Sequence, residues 1–223
     1  MRKVLALVEG QTEERFVKDV LRPHLWPLGV HPEPKIATTK RSKHGPHFKG
    51  GITDFRKFED DIRRLLGDTS AVVVTTMIDY YDLPHEFPGK QTLRGASTRE
   101  RVIELEGALE NHFSAGSRFI AYLMIHEFEA LLFSSPDTLA GAMNAPSASR
   151  SRLQAIRDQF TTPEDINDNP QTKPSARVTT IFPDYRKGLH GPMTIGRIGL
   201  ETVRRECPHF NEWISKLERF GSA

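Results

Sequence analysis

A single cysteine, Cys207, stands in 223 residues, so no internal disulfide can form and no thiol-rich zinc site can assemble. No stretch approaches the roughly 20 consecutive apolar residues of a membrane-spanning helix. The start, Met1-Arg2-Lys3 followed by apolar residues only to Val8, lacks the length and the small-residue cleavage site of a signal peptide. The expected setting is the cytoplasm, with no membrane partner. Walker-type loops and Gly-x-Gly-x-x-Gly turns are absent as well, which argues against ATP hydrolysis by this chain alone. His126-Glu127-Phe128-Glu129 lacks the second histidine of a zinc protease helix, since Ala130 occupies that position. Asp165–Asn169 resembles the start of a calcium loop, but Pro170 stands at the glycine position and Ala176 at the bidentate acid, so a structural loop is the better reading. There is no internal repeat and no low-complexity tract.

What is present suffices for a packed core: 37% of the residues are hydrophobic, and the net charge is only +2. Three apolar, strand-like runs each end in acid. Lys3–Val8 leads into Glu9, Ala71–Ile78 into Asp79, and Phe119–Ile125 into His126-Glu127-Phe128-Glu129. Buried parallel strands read as continuous apolar runs, and open α/β sheets carry their chemistry at the strands' carboxyl ends. The acids are therefore expected on one rim. Two carboxylates about 4 Å apart repel by roughly 4 kcal/mol at an effective dielectric near 20, so such a cluster requires raised pKa values or a cation, and a divalent metal supplies one. Capping or a solvated turn is the plain alternative for each acid taken singly.

The strands alternate with helical patterns. Gly10-Gln11-Thr12 makes a turn, with Thr12 a candidate cap for a helix carrying Phe16, Val17, Val20, Leu21 and Leu25, kinked or ended by Pro23. Pro27 to Pro34 reads as a connection, and Lys35–Thr39 as a short edge strand. Phe55, Phe58, Ile62 and Leu65 mark a second helix. Ser97-Thr98-Arg99-Glu100 has capping-box spacing ahead of Val102, Leu105, Leu109 and Phe113. Ser135-Pro136 and Thr162-Pro163 signal further helix starts, and Leu153, Ile156 and Phe160, then Phe210, Trp213, Ile214 and Leu217, give apolar stripes. The expected fold is α/β: a small, mostly parallel sheet flanked by helices (residues 1–135), with a helical half (136–223) packed on it. No long linker divides the two, so they equally form a single domain.

From Lys35 to Thr53 the chain carries Lys40, Arg41, Lys43 and Lys49 with no Asp or Glu. A basic, glycine-containing loop suits phosphate-backbone contact, and equally suits a solvated surface. Lys173, Ser175 and Arg177 near a helix start form a second candidate phosphate contact.

The segments Val8-Glu9-Gly10-Gln11-Thr12-Glu13, Lys49-Gly50-Gly51, Met77-Ile78-Asp79-Tyr80-Tyr81, His126 to Phe133, Ile166-Asn167-Asp168, Pro174-Ser175 and Cys207 to Trp213 together resemble a bacterial family of Toprim-like proteins (domain of unknown function 4276). The resemblance implies kinship with nucleases of the overcoming-lysogenisation-defect (OLD) type. The resemblance implies the Toprim fold of topoisomerases and primases, with a glutamate after the first strand and a later Asp-x-Asp pair that holds magnesium. Glu9 matches that glutamate and Asp79 the first aspartate. Tyr81 occupies the second aspartate's place, and the next acid is Asp82, leaving Asp82, Glu127 or Glu129 to complete the set. A partner ATPase and a role in phage defence are implied as well.

Two functions are then expected. One is a Mg²⁺- or Mn²⁺-dependent nuclease, a hydrolase of DNA or RNA with Glu9, Asp79, Glu127 and Glu129 at its catalytic centre and Lys40, Arg41, Lys43 and Lys49 on the nucleic-acid backbone. His126 is a candidate acid-base group. The alternative is a non-catalytic Toprim-like module that binds nucleic acid or the ATPase, its acids paired with its own basic residues. The displaced second aspartate favours this alternative.

Overall fold

The computed structural model describes residues 1–38, 52, 54–166 and 169–221. The basic residues Lys40, Arg41, Lys43 and Lys49 lie outside the described residues, as do Gly50, Gly51, Asn167 and Asp168.

Strands β1 (Arg2–Val8), β2 (Val30–Ile36), β3 (Ala71–Asp79) and β4 (Phe119–Ile120) form a sheet in the order β2-β1-β3-β4, and β5 (Leu123–Met124) pairs with the end of β3. All pairings are parallel. Both faces of the centre are covered, which is why β1 and β3 read as unbroken apolar runs. On one face Val4, Ala6, Val8, Val73 and Met77 pack with Phe16, Ile195, Phe210 and Trp213. On the other, Leu5, Leu7, Val74 and Ile78 pack with Phe58, Ile62, Val102 and Leu105.

After β1 the chain forms α1 (Gln11–Phe16), a π-helical turn (Val17–Leu21), α2 (Arg22–Leu25) and a 3₁₀ turn (Trp26–Leu28). Pro23 therefore does not end this helix. The π turn changes the hydrogen-bond register just ahead of it, so Pro23 falls in the first turn of α2, where its missing N–H is tolerated. The helix stops instead at Gly29, left-handed with φ 76°. Gly10 rather than Thr12 is the cap of α1, and the Glu13 carboxylate accepts its N–H at 2.9 Å.

The expected edge strand begins five residues early, at Val30, in spite of Pro32 and Pro34. Ala37 N–H donates to Val8 at 2.8 Å, so odd-numbered amides of β2 face β1 and the two prolines lack only outward-facing donors. The third run is also modified: it breaks into β4 and β5. The Thr75 hydroxyl donates to Ile120 O (2.8 Å), while that of Thr76 donates to Tyr122 O (2.9 Å) and accepts from Tyr122 N (2.8 Å). Two side chains thus replace ladder bonds where the strand bends.

One face carries α3 (Phe55–Leu66) and α4 (Thr98–Phe113). The predicted capping box is present, with Ser97 accepting from Glu100 N and Glu100 from Ser97 N. The helical half comprises α5 (Pro136–Ala142), α6 (Ser147–Arg157), α7 (Pro174–Ile181), α8 (Lys187–Ile198), α9 (Leu200–Glu206) and α10 (Pro208–Glu218). Ser135 caps α5 as expected, whereas Thr162-Pro163 opens only a 3₁₀ turn, Pro163–Asp165. Trp213 of α10 stacks on Tyr122 with ring centroids 4.4 Å apart and donates to Thr75 at 2.9 Å, tying the last helix to the sheet. Such a stacked pair contributes about 0.5–1.5 kcal/mol beyond burial. Among the described residues, no helix is long and apolar enough to cross a membrane.

A candidate acid site on the carboxyl rim of the sheet

Because β1 and β3 are parallel neighbours, with Val8 opposite Met77, the residues that follow them meet. Glu9 N donates to Met77 O at 3.3 Å, and the Glu9 carboxylate accepts Asp79 N at 3.1 Å. β5 pairs its Met124 with Asp79, and the chain then turns through His126, buried and left-handed at φ 66°. Tyr81 N holds that turn by donating to His126 O. A non-glycine residue at positive φ is uncommon and is tolerated where its surroundings fix it. The turn presents both Glu127 and Glu129 to the rim, each almost wholly buried, because Phe128–Ser134 coils as a 3₁₀ segment rather than continuing as a strand.

The structure therefore brings together Glu9, Asp79, Glu127 and Glu129, and adds Glu13, one turn into α1 and also buried. Asp82 is not part of this buried group: it lies exposed on the turn after β3, with φ 64°. Two lysines from the helical half face the acids. Lys173, before α7, donates to Glu127 at 2.8 Å and lies over the Tyr81 ring at 4.2 Å. Lys187, the first residue of α8, reaches both Glu129 (3.1 Å) and Glu127 (3.6 Å).

These contacts divide the acids. Glu127 also accepts Ser175 N and Ser175 Oγ, each at 3.0 Å. Burial pushes its pKa up, but Lys187, Lys173 and Ser175 outweigh burial and hold it below the ordinary glutamate range. The expected phosphate contact at Lys173 and Ser175 is thus filled from within by a carboxylate, since a helix start accepts any anion. Arg177 turns away to Thr172 O and the Phe160 ring. For Glu129, burial dominates over the Lys187 attraction and raises the pKa, with the Tyr185 hydroxyl donating at 3.3 Å.

The remaining three acids form no ion pair among the described residues. Glu9 is raised by burial, then by Glu127 and Glu129, against the Asp79 N–H and Lys187. Glu13 is pushed up to about 8 by burial and by Glu9. Asp79 lies well above its ordinary value because of burial, Glu9 and Glu13, and its buried Oδ1 accepts no hydrogen bond from the described residues. Buried acceptors normally find partners. Five carboxylates against two ammonium groups leave the rim short of positive charge, and a donor set made only of carboxylate oxygens suits a hard cation such as Mg²⁺ or Mn²⁺. As the side chains stand, no three His, Cys, Asp or Glu among the described residues are grouped to hold a metal ion.

Sequence reasoning missed Glu13, Lys173 in its role here, Lys187 and Tyr185. Glu13 had a usable signal, lying four residues after Glu9 at a helix start. The two lysines had none, because only the folding of α7 and α8 over the rim brings them there.

No curated protein and no solved structure matches this chain. A family model, described as a domain of unknown function (DUF4276), matches residues 8–218, a span that takes in every acid of the rim together with Lys173 and Lys187. The chain belongs to the DUF4276 family.

Proposed function

We propose that this protein is a divalent-cation-dependent phosphodiesterase that cleaves nucleic acid at the carboxyl rim of its sheet, working in the cytoplasm with a partner ATPase in phage defence. The observation that carries the reading is the convergence of Glu9, Glu13, Asp79 and Glu129, all with raised pKa values, around a buried Asp79 oxygen that accepts no hydrogen bond from the described residues. A structural cluster of like charges is costly, whereas a metal-binding one needs them. Glu9 and Asp79 are the first ligands in this reading, with Glu129 or Glu13 completing the set by side-chain rotation. Bound there, Mg²⁺ or Mn²⁺ would activate water and stabilise charge on the phosphoryl oxygens. The chain's own part is to fix the carboxylates from three strand ends and to exclude water around them. Lys40, Arg41, Lys43 and Lys49 serve as backbone contacts in this proposal.

The test is calorimetric titration with Mn²⁺ together with cleavage assays on single- and double-stranded DNA and RNA. Binding and cleavage in the wild type, both lost in Glu9→Gln, are expected. Cleavage undiminished in Glu9→Gln and Asp79→Asn would remove the proposal.

A second reading rests on the lysines. Lys173 and Lys187 already ion-pair with Glu127 and Glu129, as a non-catalytic binding module with internally neutralised acids would require. Wild-type protein that binds nucleic acid but takes up no Mn²⁺ supports this reading over the first.

A further inference from the structure

We infer that Lys187 is a built-in counter-ion that a divalent cation must displace, so Glu127 and Glu129 are held in ion pairs until metal arrives. The inference rests on the proposed metal site and concerns a residue of the helical half rather than a ligand.

Lys187 Nζ bridges two nearly fully buried carboxylates, at 3.1 Å from Glu129 and 3.6 Å from Glu127, yet about half of its side chain remains exposed (48%). It is the first residue of α8, whose first turn contains no acid. A cation at a helix start opposes the helix dipole, so nothing local to α8 favours an ammonium there, and the acids across the gap do. Their pull is reciprocal: partial burial lowers the Lys187 pKa, but the carboxylates of Glu129, Glu127 and Asp79 outweigh it and raise it. The group is charged and seated in the region where the rim is short of positive charge.

Displacement does not require α8 to move. The next residue, Gly188, lies against Gln11 and Thr12 of α1, and its carbonyl accepts Arg15 at 3.0 Å, so the helix start is anchored. The ammonium rides on a four-carbon stem that is already half in solvent and can swing out by rotamer change. Lys173 differs: it is less exposed (23%), packs over the Tyr81 ring and holds Glu127 together with Ser175. Lys187 is the exchangeable partner and Lys173 the fixed one. While Lys187 holds Glu129 and Glu127, those oxygens are withheld from Glu9 and Asp79, in keeping with the lack of a ready three-ligand group among the described residues.

The experiment titrates Mn²⁺ into wild-type, Lys187→Met and Lys187→Arg proteins by calorimetry, with thermal melting recorded before and after metal. Lys187→Met is expected to bind Mn²⁺ about fivefold to tenfold more tightly, the effect of removing one or two half-exposed ion pairs. Its metal-free form should melt below the wild type, and its melting point should rise further on metal addition. Lys187→Arg keeps the charge and should bind like the wild type. A direct readout without mutation is the Lys187 Nζ NMR resonance of the wild type, labelled with ¹⁵N-lysine, which should move toward that of a solvent-exposed lysine on addition of diamagnetic Mg²⁺.

Unchanged or weaker Mn²⁺ affinity in Lys187→Met, or an Nζ resonance that stays in place at saturating Mg²⁺, overturns the inference while leaving the metal site intact. Metal binding by Lys187→Met alone supports the inference and removes the catalytic reading of the wild type. Binding by neither protein overturns both.

Discussion

Two sets of buried and half-buried acids lie around this sheet and are used in opposite ways. Beside β4 and β5, Glu110 and Glu106 of α4 accept Ala121 N (3.0 Å) and Leu123 N (2.8 Å), closing an edge with no further strand among the described residues. Glu106 also meets His209 at 2.9 Å, and Glu164 accepts His209 N and Phe210 N at the start of α10. Each of these carboxylates substitutes for a missing backbone partner. On the rim, Glu9 and Glu13 each accept one backbone N–H, from Asp79 and Gly10, but with Asp79 they also face one another, and Asp79 Oδ1 meets no donor among the described residues. Burial alone does not separate the two sets. The surrounding charge does: the first set closes off backbone N–H groups away from the rim acids and holds the fold together, while acids that confront one another destabilise it unless a cation is supplied.

This contrast can be broken most sharply at Asp79. Asp79→Asn keeps the shape and removes a charge, so cleavage is expected to fall by about 10³-fold, roughly 4 kcal/mol of barrier, while the metal-free protein melts no lower than the wild type. Single-turnover rates and melting curves decide it, and a large drop in melting point would move Asp79 into the structural set. Glu164→Ala should do the reverse. It leaves His209 N and Phe210 N buried without an acceptor and should lower stability by about 2–3 kcal/mol in urea titration, with Mn²⁺ affinity unchanged.

The pH dependence sharpens the comparison further. Folded Glu13 keeps its proton up to about 8, while an unfolded glutamate releases it near 4.5. The folded state therefore binds more protons between those values, and metal-free stability should fall as pH rises through that window and level off above it. Glu9, Asp79 and Glu129 shift in the same direction. Glu127, held low, loses its stabilising contribution only below about 4.5. Urea midpoints at pH 5 and pH 8 should differ by the equivalent of a few kcal/mol, of the order set by 1.36 kcal/mol per pKa unit; Glu13→Gln should shrink that difference, and saturating Mg²⁺ should abolish most of it. A midpoint indifferent to pH in the absence of metal would contradict the account of the rim. The smallest effect is reserved for Ser97→Ala, which removes the cap of α4 and should cost about 1 kcal/mol without altering Mn²⁺ affinity, since α4 carries only structural acids.

Local chemistry made much of this legible. Ser97 and Glu100 cap α4 because a hydroxyl and a carboxylate three residues apart satisfy each other's backbone donors wherever they stand. The apolar runs of β1 and β3, and the acids that end them, follow from burial of a parallel sheet on both faces. Where the reading failed, a non-local partner had decided. Pro32 and Pro34 are admissible in β2 only because β1 lies on their other side, and Phe119–Ile125 bends because Thr75 and Thr76 of β3 bond its carbonyls.

The chain's order of residues by itself determined a parallel α/β sheet with Glu9 and Asp79 at strand ends, since periodicity and caps depend on neighbours a few positions away, whereas the pairing of β1 with β3 came from the fold. Only the tertiary structure decided that Glu13 joins them, that Asp82 does not, and that Lys173 and Lys187 counter Glu127 and Glu129. Charge interactions depend on distance in space, and α7 and α8 cross that distance only once the helical half has packed onto the sheet.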